Sequence, residues 1–202
     1  ADDAAGLAIA EGFRSVVRGS RVAVRNVQDG ISLIQTAEGA LVESSNILQR
    51  IRELAVQSAN GTNSGQNRTA LDSEVTQLLS QLDSIAKDTE FNGFYILSTT
   101  QSIIIQAGAQ PGQTLAITIQ GAKTSDLSVS GISISTQGGA VSALSIVDNA
   151  LKSINILRSN LGAFQNRLEF TINTLEIQEE NASYSESQIR DADIATETVR
   201  FT

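Results

Sequence analysis

The chain has no cysteine, histidine, methionine or tryptophan, and only one proline in 202 residues. Without cysteine there is no disulfide framework, no thiolate nucleophile and no Cys-ligated zinc or iron–sulfur site. Without histidine neither a Ser-His-Asp nor a Cys-His relay can be built, and the commonest general base and metal ligand are both missing. Aromatic residues make up only 4%, and 22 acidic residues against 14 basic ones give a net charge of −8. That balance opposes nucleic-acid binding, because a phosphate backbone needs a concentrated cationic surface, and it disfavours anionic membranes likewise. No apolar run approaches the roughly 18 residues of a bilayer span. The opening Ala1-Asp2-Asp3 carries no basic n-region and no apolar signal segment. The expectation is a soluble chain, trimmed or a fragment since no methionine starts it, with no cofactor, no metal and no enzymatic activity. What is present is apolar content, 41%, enough to bury a core.

Residues 4 to 58 contain neither proline nor a cluster of turn residues. Steps of seven read Phe13, Ser20, Val27, Ile34, Leu41, Leu48 and Ala55, with Val17, Val24 and Ile31 at the intermediate spacing. Glu38, Ser45 and Arg52 then occupy the intermediate positions, and Ala37 and Ile51, one residue earlier, carry the stripe. Such a slip follows from the drift of about 20° per heptad in a nearly straight helix. The pattern predicts one long helix. Gly12, Gly19, Gly30 and Gly39 each cost it about 1 kcal/mol relative to alanine, so packing must offset them or backbones must approach closely there. After the turn Asn60-Gly61-Thr62-Asn63-Ser64-Gly65, the recurrence of Leu71, Val75, Leu78, Leu82 and Ile85 predicts a second helix to about Asp88. The short connection makes it antiparallel to the end of the first.

From Phe91 the period changes to two. Ile103 and Ile105, then Leu115, Ile117 and Ile119, are strand signals around the hairpin turn Gly108–Gln113, and Leu127–Ile134 is β-prone with a change of phase at Gly131. From Val141 the helical period returns through Val147, Ile154, Leu161, Leu168, Leu175, Ala182 and Ile189, allowing a third helix to about Thr198. Gly162 flanks that seam, and close backbone packing there would make Gly162→Val destabilising. First and third helices of roughly 80 Å do not fit a globule of about 17 Å radius of gyration. The fold class expected is mainly α: an elongated antiparallel helical bundle of two long helices and one shorter, with a small β-hairpin region. Residues 1–90 and 139–202 form the helical rod and 91–138 the small β region continuous with it, with no large outer domain.

Among candidate sites, the carboxylate pairs Asp2-Asp3, Glu179-Glu180 and Asp191-Asp193 lack calcium-loop spacing and read as solvated faces. Gly138-Gly139 lacks a phosphate-loop pattern and reads as the turn that starts the third helix. At about 100° per residue, Arg50, Glu53, Leu54 and Gln57 lie roughly opposite Leu48, Ile51 and Ala55. Leu54 is then either the apolar centre of a polar-rimmed interface or a residue packed under the second helix. Phe170 and Ile177 stand some 200° from the third helix's seam and contact either the second helix, the nearer candidate, or another subunit.

The strings Asp2–Ala10, Gln35–Leu41, Leu48–Asn60, Phe91-Asn92-Gly93, Leu157–Leu168 and Asp191–Glu197 closely resemble bacterial flagellin, in that family's order and in both helical arms. The resemblance implies an extracellular, secreted subunit of the flagellar filament with a mechanical role in motility. Its implied partners are other flagellin subunits, an export chaperone and the cap at the distal tip. Flagellins normally extend at both ends in amphipathic segments that drive polymerisation; those segments are not in this sequence, and only a short β region stands where outer domains often lie. The family's core also resembles the surface seen by the vertebrate Toll-like receptor for flagellin. Carried over residue by residue, the match falls on Arg50, Leu54, Gln57 and Glu74, with Gln49 and Glu53 beside them. The alternative role is a hook-filament junction protein or a rod-like surface adhesin, against which the Glu53–Asn60 string and Phe91-Asn92-Gly93 argue.

Overall fold

The structure, a computed structural model, describes residues 4–190. Helix α1 runs unbroken over Ala4–Ala59, 56 residues. Its seven-step positions are buried from Ser20 to Ala55, and Ala37 and Ile51 are buried with them, so the seam drifts around the helix as its sequence period requires. Helix α2, Gly65–Asp88, starts where the Ser64 side chain accepts the Asn67 N–H at 3.1 Å. That cap satisfies a donor with no intrahelical partner. Helix α3, Gln137–Arg190, starts the same way: the Thr136 hydroxyl accepts the Gly139 N–H at 3.0 Å. A Cβ on Gly139 would lie 2.7 Å from the Ser133 carbonyl oxygen, so only glycine lets the incoming chain pass so close. Along α3 the seam from Val147 to Ala182 is buried, while Ile189 is exposed. The motifs at Asp2-Asp3 and Asp191–Glu197, and the expected extension of α3 towards Thr198, lie outside the described residues. By length and composition alone α3 could cross a membrane. Within it Val147, Ile154 and Leu161 are turned inward, while Val141 and Ile156 are exposed.

Between the helices lie two antiparallel strand pairs. Strands β1 (Glu90–Phe91) and β2 (Phe94–Tyr95) flank Asn92 and Gly93, whose φ angles of 49° and 84° make the left-handed turn that suits a two-residue hairpin. Strands β3 (Gln101–Gln106) and β4 (Thr114–Ile119) pair as their alternation predicts, with Leu115, Ile117 and Ile119 buried and the intervening residues exposed. The β-prone run Leu127–Ile134 is not a strand, which corrects the sequence expectation. Its donors are used locally or by α2: Leu127 N–H bonds the Lys123 carbonyl, Val129 N–H the Thr124 carbonyl, and Asp72 takes the Ile134 N–H at 2.6 Å. Positive φ at Ser128 and Gly131 breaks the extended path twice. Its apolar residues Leu127, Val129 and Ile134 are nevertheless buried.

The residues group into two units, one made of α1 up to Ile31, Ile104–Ala116 and α3 from Asn166, the other of Ser32–Ile103 and Ile117–Gln165. In the first unit Arg21 on α1 meets Glu179 on α3 at 2.7 Å, and Asn26 donates to the Gln106 carbonyl. Close approach explains one of α1's glycines: a Cβ at Gly19 would meet the Ala109 Cβ at 2.7 Å, whereas one at Gly30 would make ordinary contact with Ile105 and Leu168 at 3.4 Å. It does not explain Gly12, Gly39 or Gly162, around which a Cβ meets nothing within 4 Å. The close-packing expectation for Gly162 is therefore corrected. Phe170 and Ile177 are 71% and 59% exposed, so packing under α2 is corrected as well.

In the second unit α1 and α3 run antiparallel, tied by Arg52 to Asp148 at 2.7 Å and Arg158 to Glu38 at 3.6 Å. Two α2 carboxylates hold the segment leading to α3: Asp72 accepts from Ser133 and Ile134, and Asp83 accepts the Thr124 N–H at 2.8 Å. Desolvation pushes the Asp83 carboxyl up, but the Thr124 donors and Lys87 outweigh it and leave its pKa below the ordinary value.

These contacts predict the behaviour of two kinds of variant. Gly162→Ala should raise stability by about 1 kcal/mol, the difference in helix propensity, and Gly162→Val should be tolerated, while Gly19→Ala should lower stability by driving into Ala109; urea midpoints read all three. For Asp83, a depressed folded-state pKa means stabilisation present above the unfolded value and lost as pH falls through the folded one. Asp83→Asn should accordingly destabilise at pH 7 and differ progressively less from the parent below about pH 4 in urea titrations.

Candidate protein interface

The last two turns of α1 lie between two neighbours. On one side is α3, through Arg52 and Asp148; on the other is α2, which returns antiparallel after the turn at Asn60–Ser64. Arg68 fixes that return. Its Nη2 donates to the Asn60 and Asn63 carbonyls at 3.0 and 3.2 Å, and the side chain is buried in the turn it closes. Sequence reasoning did not single out Arg68; the signal available was a cation placed just after a turn rich in carbonyl acceptors.

With α2 so placed, Arg50 and Glu74, 24 residues apart, come face to face. The Arg50 Nε and Nη2 donate to one Glu74 oxygen at 3.0 and 2.8 Å, and Nη1 donates to Glu53 at 3.1 Å. Hydrogen bonds from Glu74 first, then Glu53, hold the Arg50 guanidinium above its ordinary pKa. The network is open to solvent, so its net contribution to folding is small. It does fix where the charges point. Gln49 and Gln57 are exposed on the same stretch of α1, and their side-chain amides have no partner among the described residues. Each offers two donors and an acceptor.

Leu54 belongs to the other class. It is 1% exposed, which corrects its reading as an outward apolar centre. Angular distance from the α3 seam does not mean solvent here, because α2 covers the opposite side; Leu48, Ile51, Leu54, Ala55 and Ser58 are all buried. The candidate surface is thus polar, with Gln49, Arg50, Glu53, Gln57 and Glu74 outside and Leu54 beneath. Among the described residues no three acidic side chains cluster in a way that could hold a metal ion.

Comparisons with known proteins agree with this arrangement of helices. Residues 1–102 match the family profile described as bacterial flagellin N-terminal helical region, and residues 144–202 match the bacterial flagellin C-terminal helical region. A flagellin of Halalkalibacterium halodurans is 46% identical over 204 residues, covering 100% of this chain and 75% of the relative. The flagellar filament 31.3 kDa core protein of Treponema maltophilum is 41% identical, covering 100% and 76%. The crystal structure of Bacillus cereus flagellin superposes with a TM-score of 0.66 at 35% identity, covering 75% of this chain and 88% of that one.

Burial of Leu54 makes a direct prediction. Leu54→Ala should cost about 2 to 5 kcal/mol of folding stability, the range for a buried leucine whose cavity only partly collapses. Denaturant unfolding measures it, and an unchanged midpoint would return Leu54 to the surface.

Proposed function

The chain belongs to the bacterial flagellin family and is a subunit of the extracellular flagellar filament, and from that premise we propose that the face centred on Arg50 is its protein-binding surface. It serves between subunits in the filament, and it is the surface met by the vertebrate Toll-like receptor for flagellin when monomers are released. Gln49, Arg50, Glu53, Gln57 and Glu74 make the contacts, with Leu54 as the packed support beneath them. An export chaperone and the filament cap complete the set of partners this reading assigns.

One observation carries the proposal: an exposed guanidinium already forked between two carboxylates from two helices. A partner that meets this network finds the side chains ordered, which removes much of the entropy loss of immobilising an arginine on binding. Because solvent-exposed pairs exchange at little cost, a partner carboxylate or carbonyl can take over one branch of the fork. The unpaired amides of Gln49 and Gln57 add directional contacts at the rim.

Arg50→Ala and Gln57→Ala should each weaken binding to the purified receptor ectodomain by at least about fivefold, the threshold at which an interface residue counts as important. Neither should shift the unfolding midpoint appreciably. Parent-like affinity in both variants, measured on folded protein, would remove this surface from consideration.

A further inference from the structure

In a chain of net charge −8, α1 carries Arg14, Arg18, Arg21 and Arg25 at spacings of four, three and four. At about 100° per residue these fall within roughly 60° of one another, a basic stripe about 16 Å long on one helix face. Arg14 is paired with Glu11 at 3.3 Å and Arg21 with Glu179 at 2.7 Å. Arg18 and Arg25 are exposed and have no hydrogen bond or ion pair among the described residues. Like charges one turn apart are unfavourable in an isolated helix, and an anionic partner removes that cost.

The same unit holds a second face of complementary character. On α3 Phe170, Ile177 and Tyr184 recur every seven residues and are 71%, 59% and 66% exposed, a ridge turned away from the helix's own buried seam. Glu169, Glu176 and Glu180 run along one side of it at spacings of seven and four. Glu176 and Glu180 have no partner among the described residues. An apolar heptad ridge with glutamates along one edge, and Arg167 beside Phe170 on the other, is built like a coiled-coil seam that selects its partner through the flanking charges.

We propose that the arginine face of α1 in one subunit docks on the Phe170–Ile177–Tyr184 face of α3 in a second copy of this chain. The occupant follows from three observations. The chain is a filament subunit, so its outer helix faces meet copies of itself. Pairing either face with itself would set mostly like charge against like, whereas pairing one with the other brings the free Arg18 and Arg25 towards the free Glu176 and Glu180. A contact between two different faces is heterologous, and a heterologous contact that does not close generates an open helical assembly. Arginine suits such a contact, because its stem covers apolar surface while the guanidinium reaches a carboxylate or lies over an aromatic ring. The contact rests on filament membership and is independent of the Arg50 face.

The test is charge reversal and exchange in the full-length gene product, expressed in its bacterium. Arg18→Glu/Arg25→Glu and Glu176→Arg/Glu180→Arg should each shorten filaments by at least about tenfold in electron micrographs, since juxtaposed like charges cost several kcal/mol. The variant carrying all four changes should recover them. None of the four side chains has a partner among the described residues, so thermal melts of the purified chains should match the parent's. The neutral pair Arg18→Gln/Arg25→Gln should flatten the salt dependence of filament disassembly. Parent-length filaments in either reversed pair overturn the proposal. So does failure of the fourfold variant to recover, which would assign the arginines to a different anionic partner, or an unaltered salt dependence in the neutral pair. Altered receptor affinity at Arg50 with intact filaments leaves this result separate from that of the Arg50 face.

Discussion

Everything in this chain depends on burying one narrow face of a 56-residue helix, from Ala10 to Ser58. A helix in water draws most of its stability from packing of an apolar face and little from propensity. Each turn of α1 therefore needs a neighbour. The neighbour is α3, whose seam from Val147 to Ala182 is buried. Towards its C-terminal end α1 gains α2 as a second neighbour, and the buried face widens to include Leu54 and Ser58. Glycine is tolerated along this surface for two different reasons. At Gly19 the hairpin turn presses against the helix, while Gly162 on α3 faces open space and bears only the propensity cost.

Where the backbone leaves the helices, polar side chains hold it. Asp72 and Asp83 of α2 take backbone donors from the segment between β4 and α3, and Arg68 takes two carbonyls in the α1–α2 turn. These contacts satisfy groups that a sheet would have paired. They also account for a segment that is apolar enough to be a strand and is folded instead as a series of turns over the core.

With the inner faces committed to packing, function is left to the outer ones. The surfaces of a filament subunit must recognise copies of itself and whatever else meets the polymer. The outer faces are charged in patterns and not at random: a forked arginine with two glutamates on α1 and α2, an arginine stripe on α1, and an aromatic ridge edged with glutamates on α3. In each case the side chains are placed by helix periodicity, which keeps them at fixed spacing on a rigid element and lowers the entropic cost of recognition.

The three helices, the drift of the α1 seam from Val27 through Ala37 to Ile51, the β3–β4 hairpin and the family are all legible in the sequence, because each is written in local periodicity or in a contiguous string. The sequence also placed Arg50, Glu53 and Gln57 on one helix face. What each face meets is a matter of long-range packing. Leu54 stands opposite the α3 seam by angle and is buried because α2 returns over it; Phe170 and Ile177 stand opposite their seam in the same way and are exposed. Leu127–Ile134 has the composition of a strand, but its donors are claimed by turns and by an aspartate 62 residues away in the chain. The physical reason is common to all three. Periodicity fixes the direction of a side chain relative to its own helix or strand, whereas burial depends on which distant segment arrives there, and that is settled by loop geometry and long-range hydrogen bonds that no local pattern encodes.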